Sequence, residues 1–152
     1  AAIAISPAKV VRLMPGFAHL DFLFMNEAEA RALTGKEVED AAEWPDLLRE
    51  KGLMGGVITR GGRSVIAYDR SGTVAVVPPK LDALGDVTGA GDALASGFLF
   101  ATLQGKSLAE SLRTGVAAAG LTVASPLAVS ENMTVAALQS AIMLVPEAEI
   151  LS

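Results

Sequence analysis

Short apolar runs bounded by turn residues alternate with helically spaced stretches through the first half of the chain, and helical spacing takes over after residue 89. The opening "AAIAI" reads as a buried strand that stops at Ser6-Pro7, and "AKVVRLMPG" as a short helix ending before Pro15 and Gly16. "DFLFMN" is a second buried strand, and "EAEARALTG" spaces Ala and Leu for a helix that closes on Gly35. "VEDAAEWPDLLREKG" predicts another helix, acidic early and basic late as the helix dipole favours, with Gly52 at its end. "GGVITRGG", "SVIAYDRSG" and "TVAVVPP" are three successive strand-like runs separated by Gly-rich or Asp/Ser/Gly turns. Three helices follow: "GDALASGFLFATLQG", "SLAESLRTGVAAAGLTVAS" and, after Thr134, "TVAALQSAIMLV". This order predicts an α/β layered fold around a mainly parallel sheet. No internal repeat or low-complexity linker interrupts it.

Composition narrows the chemistry. Of 152 residues, 51% are apolar and 19% charged, so a buried core is expected and disorder is not. A net charge of −5 with scattered basic residues argues against nucleic acid as a partner. No cysteine is present, which excludes disulfides and thiolate metal sites. A single histidine, His19, leaves no material for a His-based metal centre and reads as a surface residue. The longest apolar segment, Gly115 to Val129, is broken by Pro126 and falls short of a membrane span. The start lacks a basic region ahead of its apolar stretch, so the expectation is a soluble, cytoplasmic protein. The chain opens without Met inside a strand-like run, as a portion of a longer chain would.

The densest chemistry lies in "LGDVTGAGDALASGF", Leu84 to Phe98. Gly89, Ala90 and Gly91 fall where an extended segment becomes a helix, so their amides face outward beside the positive end of the helix dipole, which makes an anion cradle. Asp92 follows in the first turn. On spacing alone it is either a helix-capping carboxylate or a general base that takes a proton from an attacking hydroxyl.

"DVTGAGDALASGF" resembles the C-terminal signature of the ribokinase-like carbohydrate kinases, the PfkB family, at Asp86, Thr88, Gly89, Ala90, Gly91, Asp92 and Gly97. Val87 and Leu94 depart from the usual Thr and Phe. The resemblance implies Asp92 as catalytic base, Gly89 to Asp92 as the lining of the anion hole, and Asp86 as a holder of a monovalent cation such as K+. Without the resemblance, Asp86 reads equally well as a turn cap. "MNEAEARALTG" resembles the family's N-x-x-E motif, which implies that Asn26 and Glu29 serve Mg2+ through water; otherwise Glu29 is a first-turn surface acid. "VITRGGRSV" resembles the T-x-G-x-x-G nucleotide loop at Thr59 and Gly61, with Ser64 in place of the second glycine and Gly62 as its substitute source of flexibility. Without the resemblance this is a hairpin turn. Arg60 and Arg63 are either phosphate contacts or solvated loop arginines. The small residues Gly115, Ala117, Ala118 and Ala119 fit an adenine wall or close helix packing equally well, and "SPLAVSE" corresponds to a further cation and nucleotide loop.

The resemblance spans nearly the whole chain and corresponds to the family's C-terminal half. It therefore implies that residues 1–152 are the nucleotide-binding and catalytic portion of a ribokinase-like fold, without the half that supplies most sugar contacts and the lid. It implies ATP and Mg2+ as cofactors, a small sugar or nucleoside as substrate, and room for a homo-oligomer. The segments "SPAKVVRLMPGFAHLDFLFMNEAEARALTG" and "LTVASPLAVSENMT" are similar to the pseudouridine kinases of the family, which implies transfer of the ATP γ-phosphoryl group to a primary hydroxyl of pseudouridine. Ribose, adenosine or ketodeoxygluconate kinases are the next choices, and a non-catalytic phosphate-binding module is a rival of another class. A Rossmann dinucleotide fold is excluded, because the glycine run comes late instead of in the first βα turn.

Overall fold

The computed structural model describes residues 1–80, 89–124 and 134–151. Among these residues six strands form one sheet in chain order, β1 (Ala2–Ile3), β2 (Leu23–Asn26), β3 (Gly56–Thr59), β4 (Val65–Asp69), β5 (Gly72–Val76) and β6 (Glu149–Ile150). The first three pair parallel with one another, β1 with β2 and β2 with β3, because helices fill the connections between them. The β3–β4 and β4–β5 links are too short for a crossover, so those pairs are antiparallel, as is β5–β6. The α/β layered fold is thus the expected one, with its parallel pairing concentrated in β1, β2 and β3.

The central strands are apolar on both faces and the pleat sorts their side chains. Leu23, Met25, Ile58, Ile66, Tyr68 and Ala75 join one core, while Phe24, Val57, Val65, Ala67, Val74 and Val76 join the other. The first core is closed by α1 (Pro7–Val10), α2 (Glu27–Thr34) and α3 (Trp44–Glu50), through residues such as Val10, Leu33, Trp44 and Leu48. The second is closed by α4 (Ala90–Leu103) and α5 (Leu108–Val123), with α6 (Val135–Ile142) packed outside them. Helices therefore cover both faces of the sheet.

Several local expectations are corrected. The helix placed before Pro15 is only α1, and the chain continues as a 3-10 segment, Val11–His19, through Pro15 and Gly16. Proline's fixed φ suits 3-10 geometry even where it ends an α-helix. His19, at the end of that segment, is exposed as expected. The opening strand is not buried: β1 has only two residues at a sheet edge, and alternation sends Ala2 and Ala4 to the first core while Ile3 and Ile5 stay exposed. The helix read from Val38 to Gly52 is a 3-10 turn, Ala41–Glu43, capped by Asp40, followed by α3. Pro45 is tolerated only in a first turn, which fixes where α3 begins. Strand β6 carries no alternating run and was not expected from the sequence.

The α4–α5 pair positions the glycine-rich turn. A Cβ on Gly97 would lie 2.8 Å from Ala118 Cβ and 2.9 Å from the Thr114 carbonyl oxygen. One on Gly115 would lie 2.7 Å from the Leu94 carbonyl oxygen. The helices approach backbone to backbone at these two positions. Of the two readings of Gly115 and Ala118, close helix packing is the one these contacts support. Phe98 adds edge-on aromatic contacts to Phe22 and Phe24, with ring centroids 4.9 and 5.5 Å apart, so α4 is pinned to strand β2 and the residues that lead into it.

Candidate active site

Strands β2 and β3 run parallel with Asn26 opposite Thr59, so both chains leave the sheet at the same level. Asn26 then starts α2 and Thr59 starts a turn. The Asn26 side-chain oxygen accepts from the Glu29 amide at 3.0 Å, and Glu29 Oε2 accepts from the Asn26 amide at 2.8 Å. This is a reciprocal capping box. Glu29 is buried, not the surface acid that its sequence context allows. The cap uses Oε2; Oε1 is not part of it.

The turn after Thr59 is ordered by hydrogen bonds and ion pairs. Thr59 Oγ1 lies 3.5 Å from the Met25 carbonyl oxygen, a further link between the two strands. Gly61 takes φ +62, a left-handed conformation that side chains resist, so the glycine matched to the nucleotide motif is the one the backbone needs. Gly62, expected as the loop's substitute source of flexibility, does not take positive φ, so its backbone conformation does not itself require glycine. Ser64, where the motif has its second glycine, accepts from Arg60 Nη1 at 3.1 Å. Neither arginine is simply solvated. Arg63 Nη2 donates to Glu27 Oε2, and Arg60 Nε lies 3.9 Å from Glu27 Oε1. Glu27 was not singled out in the sequence. The signal for it is the strand register, which puts the residue after Asn26 beside the residue after Thr59.

The third part is the start of α4. Gly89 caps this helix with φ +83 and ψ −9, and no side chain caps it. Helical bonding begins with the Ala93 amide donating to the Gly89 carbonyl oxygen at 2.9 Å, so the amides of Ala90, Gly91 and Asp92 have no partner within the helix. Among the described residues a Cβ on Gly91 would meet nothing within 4 Å, and Asp92 is exposed in the first turn. Open amides, the positive end of a fourteen-residue helix and an accessible carboxylate fit an anionic ligand next to a general base. Asp86, and with it the monovalent-cation assignment, lies outside the described residues, as does the "SPLAVSE" loop.

The first-turn amides of α4, with no partner in their own helix, fit the phosphates of a nucleotide. Mg2+ prefers oxygen ligands and retains waters. Among the described residues no three His, Cys, Asp or Glu side chains cluster as a metal cage. Glu29, whose Oε1 stays outside the cap, is the described carboxylate that could meet such an ion through water. A cavity of about 360 Å³ lies beside the Arg60 turn, but Asp40, Glu147 and Glu149 edge it and none of its walls comes from α4. Its carboxylates repel phosphate, so it is not the cradle. Among the described residues no helix is long and apolar enough to cross a membrane.

The family model for pfkB family carbohydrate kinases matches residues 3–134, and the chain belongs to that family. It is 40% identical over 99 residues to the cytidine kinase of Thermococcus kodakarensis, covering 64% of this chain and 34% of that protein. It is 36% identical over 107 residues to the ribokinase of Haemophilus influenzae, covering 68% and 35%. A carbohydrate kinase structure from Agrobacterium tumefaciens superposes with a TM-score of 0.84 at 48% identity, over 99% of this chain and 48% of that one. The chain spans about a third of the length of these curated relatives. The fold is ribokinase-like, and the matched portion corresponds to about half of the solved structure.

Proposed function

We propose that the protein transfers the γ-phosphoryl group of ATP to a primary hydroxyl of a small sugar or nucleoside, as a Mg2+-dependent kinase. The observation that carries this reading is the N-terminus of α4, which no side chain among the described residues caps, with Asp92 in its first turn. In the proposed reaction the acceptor hydroxyl gives its proton to Asp92 as its oxygen attacks the γ-phosphorus, and the bond from phosphorus to the bridging oxygen of ADP breaks. The amides of Ala90, Gly91 and Asp92 would stabilise charge on the transferring group. Thr59 and Gly61 would shape the nucleotide loop, Glu29 and Asn26 would serve Mg2+ through water, and Asp86 would hold a monovalent cation.

A nucleoside is the acceptor class we favour, with pseudouridine first. Support comes from the similarity of the Ser6–Gly35 segment to pseudouridine kinases, and from relatives named cytidine kinase, nucleoside kinase and adenosine kinase. Ribose is the alternative, because a ribokinase is among the relatives. The test is ADP release by the full-length product with pseudouridine, cytidine, adenosine and ribose at equal concentration. We expect the highest kcat/KM with pseudouridine. A preference for ribose by tenfold or more would overturn the nucleoside assignment but not the kinase reading.

A further inference from the structure

Glu27 has no part in the α2 cap, which Asn26 and Glu29 complete between themselves. Its carboxylate instead meets two guanidinium groups from the turn that follows Thr59. Arg63 Nη2 donates to Oε2, and Arg60 Nε sits 3.9 Å from Oε1. The Glu27 side chain is only 23% exposed and that of Arg60 16%, so this pair lies largely out of water, while Arg63 is 60% exposed. Arg60 is held at a second point by Ser64, and Arg63 Nε reaches back to the Arg60 carbonyl oxygen at 3.4 Å.

We propose that Glu27 is a positioning residue for the nucleotide: by holding Arg60 and Arg63 it fixes the turn after Thr59 beside Asn26 and Glu29. This rests on the kinase reading. The chemistry explains why an acid belongs so near a phosphate site. Two arginines on one short turn repel each other and swing on long side chains, whereas one carboxylate between them hydrogen-bonds Arg63, offsets the charge of Arg60, whose buried Nε has no hydrogen-bond partner among the described residues, and leaves the cluster with net positive charge. Because Asn26 and Thr59 are in register, the clamp ties the candidate Mg2+ motif and the nucleotide loop into one unit. Removing the carboxylate would leave the mostly buried Arg60 without its counter-charge, which favours movement of the turn.

The test compares wild type with Glu27→Gln and Glu27→Asp in the 152-residue chain, by amide hydrogen exchange and by calorimetric titration with MgADP. We expect glutamine to speed exchange of the Arg60–Ser64 amides about tenfold while α4 and α5 keep their protection. We expect it to raise the Kd for MgADP about fivefold to tenfold, with aspartate intermediate. Faster exchange with unchanged MgADP affinity would overturn the proposal, since the clamp would then be structural only. Unchanged exchange would overturn it as well. If wild type itself failed to bind MgADP, the kinase reading of this chain would fall and the nucleotide role of Glu27 with it; the wild-type titration therefore separates the two failures.

Discussion

Asp92→Asn is expected to lower phosphoryl transfer by the full-length product about 10²–10⁴-fold while MgADP affinity stays within about twofold. Asparagine keeps the shape and the capping capacity of aspartate but cannot accept a proton from the acceptor hydroxyl. Asp92 is exposed in the first turn of α4, beside amides with no partner in their own helix, so the substitution leaves the packing of the cradle intact. Loss of the negative charge removes a repulsion toward phosphate, and any change in nucleotide affinity should be a modest tightening. Steady-state kinetics together with nucleotide titration checks both halves. Turnover within tenfold of wild type would return Asp92 to the role of a helix cap. Loss of binding and turnover together would indicate a damaged cradle instead of a missing base.

Gly115→Val is expected to destabilise the fold by about 3 kcal/mol, because overpacking against backbone cannot be relieved by a rotamer change. The new Cβ would lie 2.7 Å from the Leu94 carbonyl oxygen and 3.2 Å from Phe98 Cβ, so α4 and α5 must separate. For a chain of this size the shift in midpoint is about 10 °C. Gly120 provides the control, since it lies on the same helix and, among the described residues, its Cβ would meet nothing within 4 Å. Gly120→Ala should stabilise by about 0.5–1 kcal/mol through helix propensity alone. Urea unfolding of the two variants separates packing from propensity. Equal effects at both positions would contradict the backbone contact. Because α4 carries the cradle, Gly115→Val should also weaken MgADP binding under conditions where the protein remains folded.

What could be read from the sequence depended on whether the information was local. Gly89 to Asp92 announced a helix start with open amides, and α4 begins there. Asn26 and Glu29 were read as a metal motif or, for Glu29, as a surface acid, and the reciprocal cap they form was missed although their three-residue spacing carries it. The runs GVIT, VIAYD and GTVAV between turn residues became β3, β4 and β5 because strand propensity and hairpin chemistry agreed. The other misses came from tertiary context. Pro15 was read as a helix stop, whereas the chain passes through it in 3-10 form. "AAIAI" was assigned to the interior by composition, but burial depends on the number of neighbours and β1 has one. β6 is defined by β5 instead of by its own residues. The Glu27 clamp required the β2–β3 register, which no single segment encodes. Gly115 and Ala118 left two readings open until α4 was seen against them.

The account's central claim is that the start of α4 receives the phosphates of a nucleotide. Its most direct test is calorimetric titration of the 152-residue chain with MgADP, wild type against Gly91→Val. Among the described residues a Cβ at Gly91 would meet nothing within 4 Å, so valine would intrude into the space above the amides. We predict saturable one-to-one binding that valine weakens tenfold or more, by at least about 1.4 kcal/mol. Equal binding by both proteins, or none by wild type, would contradict the claim.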